Sequence, residues 1–500
     1  MEIKFSFFIS LVVLLTSFTY SQEIQRDTTP KFAYSTIPEF WSQMNDIFND
    51  PNFNNAQWGV VIQSLETGEY FYKRNEDKLI MPASNLKLFT TAAGLILLGN
   101  DYRFKTNVYI NGSVDGSVLK GDLVVQGRGD PTISGRFYDG DIFRVYENWA
   151  DSLLNMGIDE ITGNIIGDDN NFDGIGLGAG WAWDYESNWF AAPTSAICFN
   201  DNCVNITVTV NKNTNQPVIS ILPDTKYVII INKVITVPND SSTSIEAYRE
   251  LGTNVITVFG TIRDNSDSVK TYVTVNNPTQ FAMVVLKDVL RRKGIVIDGY
   301  PIDVNDMTST LDYSKMKLLY IQYSPPLKEV IKAINKLSLN LYAEQLLKAI
   351  GLELKGYGSA SNGISAEYKL FRDMGINPEA MNIVDGSGLS RLDLVTPRQV
   401  VALLSYMYKS KYFIPYLNSL PIAGVDGSLG DRMQNTKAQG NIRAKPGFLE
   451  GVRSLSGYAF TGDNEPVAFS IIVNNYNVPV KLAENIQDLV CLRLANFKRK

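Results

Sequence analysis

The stretch Met81-Pro82-Ala83-Ser84-Asn85-Leu86-Lys87-Leu88-Phe89-Thr90-Thr91-Ala92-Ala93 decides how the rest of the 500-residue chain is read. It falls where a hairpin-like segment ends and a strongly apolar helical segment begins. Residues three apart on a helix share one face, so the Lys87 amine can reach the Ser84 hydroxyl. Burial or nearby cations hold a lysine amine neutral. A neutral amine can take the serine's proton and make it a nucleophile. The spacing alone also fits an ordinary helix start with a solvated lysine.

Composition narrows the choice. The chain contains no histidine, which removes the Ser-His-Asp triad, Cys-His proteases and His-ligated zinc hydrolases together. Any hydrolase here draws its base from lysine, carboxylate or tyrosine. A formal net charge of -6 argues against a nucleic-acid footprint. The hydrophobic share of 45% is that of a globular protein, and the length implies several domains or one heavily inserted domain. Three cysteines fit an exported protein that does not depend on disulfides. Cys198 and Cys203 can close a small loop, while Cys491 reads as a buried small hydrophobe. Two cysteines without further ligands make a poor metal site.

The N-terminus reads as an export signal. Lys4 precedes the apolar run Phe5 to Phe18, and Thr19-Tyr20-Ser21 precede an expected cut near Gln22, which assigns residues 1–21 to a signal peptide. The run is too short for a membrane span, and no cysteine follows it to carry a lipid anchor. Retention as an uncleaved anchor is the alternative.

Beyond a linker, a helix is expected from Ile37, with Pro38 in its first turn and a stripe of Phe40, Trp41, Met44, Ile47 and Phe48. A hairpin follows, Trp58 to Ser64 and Tyr70 to Tyr72 around Glu66-Thr67-Gly68, and then the Ser84 helix to about Gly99. From Val204 the pattern is almost wholly β, with Val204, Ile206, Val208 and Val210 alternating with polar residues. A helix from Pro278 to Arg292 closes this region. Helical texture resumes with Leu327, Val330, Ile331, Ile334 and Leu337 as one buried stripe. Thr396-Pro397 caps a later helix. Two strands, Ser454 to Phe460 and Val467 to Val473, and a helix from Val480 end the chain. The first and last parts complement each other as a mixed α/β (α+β) sheet-and-helix domain over 28–99 and 311–500. The middle is an insertion: an α/β part over 100–203 and 276–310, and a small β-domain over 204–275.

Two later stretches lift the Ser84 reading above chance. Ser338-Leu339-Asn340 and then Lys445-Pro446-Gly447 follow Ser84-x-x-Lys87 in the order known for penicillin-recognising serine enzymes. Gly129-Asp130-Pro131-Thr132, Asp385-Gly386-Ser387-Gly388-Leu389-Ser390-Arg391, Ala423-Gly424-Val425-Asp426-Gly427-Ser428 and Gly440-Asn441-Ile442-Arg443-Ala444-Lys445 accompany them. Together these resemble the D-alanyl-D-alanine carboxypeptidases/endopeptidases of the penicillin-binding protein 4 type, peptidase family S13, over nearly the whole chain after the signal. The resemblance implies a serine β-lactamase/DD-peptidase-like fold and a periplasmic enzyme acting on peptidoglycan stem peptides. It implies β-lactams as covalent inhibitors, no cofactor, no metal and no nucleic acid; a homodimer stays open.

By that resemblance Ser84 attacks the carbonyl of the penultimate D-alanine, with Lys87 as base, its pKa lowered by desolvation and by Lys445. Ser338 relays a proton between Lys87, Lys445 and the leaving amine, and Asn340 holds the substrate's amide. The strand Lys445-Pro446-Gly447-Phe448 lines the cleft, and the backbone N–H groups of Ser84 and Phe448 form the oxyanion site. Asp168, in Gly167-Asp168-Asp169-Asn170-Asn171-Phe172, pairs with a side-chain ammonium of the substrate or only caps a turn. Asp385 and Arg391 touch substrate or only brace their loop. One departure stands out: the family usually has Lys-Thr-Gly followed by a small hydroxyl residue, and Pro446 and Phe448 occupy those places here. The two missing hydroxyls lead to the expectation of weakened free-carboxylate recognition, favouring endopeptidase action on cross-links or reducing turnover overall. The rival readings are a β-lactamase and a non-catalytic muropeptide-binding or scaffold protein.

Overall fold

The structure is a computed structural model that describes residues 35–499; the expected signal peptide lies outside them. Ile37–Phe48 is helical as expected, started by a capping box between Thr36 and Glu39 with Pro38 in the first turn. Its Phe40, Met44 and Phe48 are buried, whereas Trp41 and Ile47 are half-buried. Gln57–Ser64 and Tyr70–Arg74 form the hairpin and join the C-terminal strands in one antiparallel sheet. The order is Arg443–Leu449, Val452–Phe460, Pro466–Asn474, Gln57–Ser64, Tyr70–Arg74. The first and last parts of the chain therefore close one domain, with Arg443–Leu449 left as an edge strand.

Strands in a sheet covered on both faces are apolar throughout rather than alternating, and Pro466–Asn474 is buried at every position. On one face pack Ile37–Phe48 and Val480–Asn496; on the other pack Lys87–Leu97 and Pro397–Lys409. Each large apolar side chain taken into these two cores contributes about 1.5–3 kcal/mol. Leu327, Val330, Ile331 and Ile334 form the expected stripe, but Leu337 at the end of Leu327–Leu337 is 50% exposed. The helix stops there, and Ser338 follows with a left-handed backbone (φ 59°).

The insertion is a seven-stranded mixed sheet and two three-stranded sheets. The strand Lys317–Tyr323 pairs antiparallel with Lys105–Asp115, so the inserted sheet runs past the boundary placed at 310. That strand is half exposed and lacks clean alternation, which hid it in the sequence. Helices Ala360–Asp373 and Phe413–Ser419 and the strand Ser244–Arg249 were also not foreseen. Pro278–Arg292 forms with the expected bounds. Cys198, Cys203 and Cys491 are buried and free, so the short loop between the first two is not closed by a bridge. Among the described residues no helix is long and apolar enough to cross a membrane.

Candidate active site

Ser84 lies in a short 3-10 turn, Ala83–Leu86, and the α-helix proper starts at Lys87. The residue before the serine, Ala83, has a left-handed backbone with φ 48°, a conformation costing a non-glycine residue about 1 kcal/mol or more. Three contacts hold the turn there. Asn85 Nδ2 donates to the Lys445 carbonyl at 2.6 Å, Ser456 Oγ donates to Asn85 Oδ1, and Ser454 Oγ donates to the Pro82 carbonyl at 2.7 Å. Glycine is required on both sides of the turn. A Cβ at Gly388 would sit 1.9 Å from the Ala83 carbonyl oxygen, and one at Gly447 would sit 2.8 Å from the Ser84 nitrogen.

Lys87 is fully buried, and its amine has three partners: Ser84 Oγ at 3.0 Å, Asn340 Oδ1 at 2.6 Å and the Ser387 carbonyl at 2.6 Å. Asn340 Nδ2 donates to the Phe190 carbonyl at 2.7 Å, which fixes the amide so that its oxygen faces Lys87. Two of the three partners can therefore only accept. A neutral amine has two hydrogens for these acceptors and one lone pair, which is left facing the Ser84 hydroxyl. Burial lowers the Lys87 pKa to about 7, against the opposing pull of Asp385, Glu344 and Asp393. Desolvation is thus the expected cause, whereas the charges acting on Lys87 are carboxylates that raise its pKa, in place of the expected lowering by Lys445.

Lys445 is also fully buried; its Nζ donates to Ser338 Oγ at 2.8 Å and to the Pro446 carbonyl at 2.7 Å. Burial first, and then repulsion from Lys87 and Arg453, push its pKa well below the usual lysine value. Ser338 thus meets Lys445 directly, while the Lys87 partner from this segment is Asn340. Both ends of the Asn340 amide are engaged within the protein, so holding a substrate amide would require exchanging the Phe190 contact.

The edge strand supplies the opposite wall. Pro446 pairs with Leu455 in the ladder, and a proline fits a ladder only where its nitrogen points away from the neighbouring strand. Side chains and N–H groups alternate along a strand, so the Phe448 N–H points outward as well, towards the cleft. The cleft encloses about 480 Å³ and is lined by Ser84, Ser338, Asn340, Lys445, Pro446, Gly447 and Phe448. The segment 174–190, rich in glycine and tryptophan, adds Tyr185, Trp189 and Phe190 to its rim.

Lys87 lies buried behind Ser84, and Asp168, Arg391 and Asp385 do not line this cleft. Asp168 ends the strand Ile165–Asp168 and is 6% exposed; its carboxylate accepts from the Tyr313 hydroxyl and the Asn170 N–H. That is the turn-capping alternative. Arg391 is exposed outside the cleft. Asp385 braces its loop from within, accepting from the N–H groups of Gly388 at 2.7 Å and Ser390 at 2.8 Å and from Trp181 Nε1 at 2.9 Å.

Sequence reasoning missed Glu344, Lys348 and Arg453. Glu344 accepts from the Gly386 and Ser387 N–H groups and so positions the Ser387 carbonyl against Lys87. Lys348 Nζ pairs with Asp173 at 2.6 Å, tying the insertion to the same helix. Asn340, Glu344 and Lys348 are four apart along Asn340–Lys355, and that repeat was the available signal. Arg453 lines the cleft beside Phe448.

A model of the D-Ala-D-Ala carboxypeptidase 3 (S13) family matches residues 41–496. A D-alanyl-D-alanine carboxypeptidase of Actinomadura sp. is 31% identical over 472 residues, covering 92% of this chain and 85% of the relative. A penicillin-sensitive carboxypeptidase A of Dictyostelium discoideum is 28% identical over 494 residues, covering 91% of each. The crystal structure of penicillin binding protein 4 from Haemophilus influenzae has the same fold, with a TM-score of 0.78 at 23% identity, covering 91% of this chain and 99% of that one. Fold and sequence together define a serine peptidase, and so a hydrolase. The chain belongs to the D-Ala-D-Ala carboxypeptidase 3 (S13) family.

Proposed function

We propose that this serine DD-peptidase works through an acyl-enzyme on Ser84, cleaving D-Ala-D-Ala ends or cross-links of peptidoglycan stem peptides. The carrying observation is the Lys87 amine, fully buried, 3.0 Å from Ser84 Oγ and otherwise bonded to acceptors alone. Neutral Lys87 takes the Ser84 proton as Oγ attacks the carbonyl of the penultimate D-alanine. The backbone N–H groups of Ser84 and Phe448 receive the oxyanion. Lys87 then gives that proton up to the leaving amine by way of Ser338, which Lys445 orients from 2.8 Å, and is neutral once more. Water then releases the acyl group with Lys87 again as base.

β-Lactams enter this scheme as acylating inhibitors; a structure of the Haemophilus influenzae protein was solved with a β-lactam. Lys4 and the apolar run after it support export to the periplasm. The test is D-alanine release from a diacetyl-L-Lys-D-Ala-D-Ala peptide by the parent protein and by Ser84→Ala. Release by the parent at least about 10³-fold faster than by the variant supports the reading. Equal rates would refute it.

A further inference from the structure

The strand motif lacks the two hydroxyls that would grip a free carboxylate, yet the strand wall of the cleft is not without a cation. Arg453 stands opposite Phe448 in the antiparallel ladder, with its guanidinium 5.3 Å from the centre of the Phe448 ring. Directly paired residues on neighbouring strands project from the same face, so Arg453 occupies the side of the sheet edge that Pro446 and Phe448 share. Its side chain is 14% exposed and lines the cleft.

The guanidinium is only partly committed. Nη2 pairs with Glu484 Oε1, Nε is buried without a partner, and no hydrogen bond of Nη1 is found among the described residues. Glu484 is shared with Lys481 at 3.3 Å, and Arg432 nearby pairs with Asp488 at 2.6 Å. Three cations thus face two carboxylates, a positive surplus. The opposing group among the lining residues is Glu450, which is exposed and therefore screened by water. Lys445, the other cation of the cleft, is pushed towards its neutral form by burial and by Lys87. A guanidinium keeps its charge at any ordinary pH.

We propose that Arg453 is a specificity-determining residue that receives the free C-terminal carboxylate of the substrate, in place of the hydroxyls absent at Pro446 and Phe448. This rests on the acyl-enzyme reading above and revises the expectation drawn from the strand motif alone. The substrate class it selects is a peptide ending in a free D-amino-acid carboxylate.

The test compares acylation by benzylpenicillin, which has a free carboxylate, with acylation by its neutral methyl ester. The parent should prefer the acid, and Arg453→Gln should lose about 10- to 100-fold of acid acylation, the range for a charge-assisted hydrogen bond. Its ester rate should be unchanged, which also reports that the site is folded. Arg453→Lys should recover part of the acid rate. Glu484→Gln, which removes the ion pair and leaves the guanidinium, should retain the acid preference. Parallel loss with acid and ester, or an unchanged acid preference in Arg453→Gln, overturns the proposal. A parent that reacts with neither probe overturns the acyl-enzyme reading itself, and is recognised from the parent alone.

Discussion

Along the helical wall of the cleft the polar side chains meet other protein atoms, whereas the strand wall presents backbone edges and partly committed side chains. On the helical side, Lys87, Asn340 and the Ser387 carbonyl form a closed set of hydrogen bonds, with Glu344 and Asp385 holding the loop behind them. On the strand side, Phe448 and Glu450 are exposed and Arg453 has one of its nitrogens paired. The difference separates two tasks. A base of fixed protonation needs a dry, saturated environment; recognition of a varied substrate needs donors that are still free to bind it.

Four changes would break or sharpen this division. The largest effect is expected for Lys87→Met, which removes the base and should lower acylation by about 10²- to 10⁴-fold. In the parent, acylation should rise about tenfold per pH unit below 7 and level off above it, because only neutral Lys87 is competent. A flat profile would show that the helical wall does not set the base. Gly447→Ala should follow, with a loss of about 100-fold, because a Cβ there meets the Ser84 nitrogen at 2.8 Å and pushes the two walls apart. Full acylation by this variant would mean that the close approach is dispensable.

Glu344→Gln should act more gently. Glu344 raises the Lys87 pKa, and burial raises its own to about 7, so its charge is only partly present where Lys87 titrates; removing it should move the rising limb modestly below 7, whereas a purely structural role would lower the plateau without moving the limb. The smallest effect is on stability. Glu367 is fully buried, neither of its oxygens has a partner among the described residues, and burial raises its pKa from 4.5 to about 8. The folded state then holds a proton that the unfolded state loses, so stability falls as pH rises from 4.5 to about 8. Glu367→Gln should flatten that slope in urea titrations at several pH values. An unchanged slope would place the titration elsewhere.

The two walls also differed in how well the sequence announced them. The nucleophile, its lysine and the Ser338–Asn340 segment sit in short motifs whose spacing is set by a helix turn or a tight corner, so local reading finds them. Asp385 sits in a motif whose bracing role was one of two readings, and Glu344 lies one helical turn after Asn340, but the loop N–H groups that Glu344 meets are brought to it only by folding. Arg453 was hidden for a different reason: its place depends on strand register across a hairpin, which pairs it with Phe448. The sheet-and-helix domain was legible because apolar runs at both ends of the chain needed each other. Half-exposed strands such as Lys317–Tyr323 lack the alternation that would have given them away. Asp168, for which the motif left substrate pairing and turn capping both open, accepts from Tyr313 and Asn170 within the protein.

The central claim is that Ser84, activated by a neutral Lys87, carries the acyl group. Intact-protein mass after incubation with benzylpenicillin, for the parent and for Ser84→Ala, tests it most directly. The account predicts a single penicilloyl adduct on the parent and none on the variant. An adduct of equal yield on both, or a parent that leaves the drug intact and carries no adduct, would contradict it.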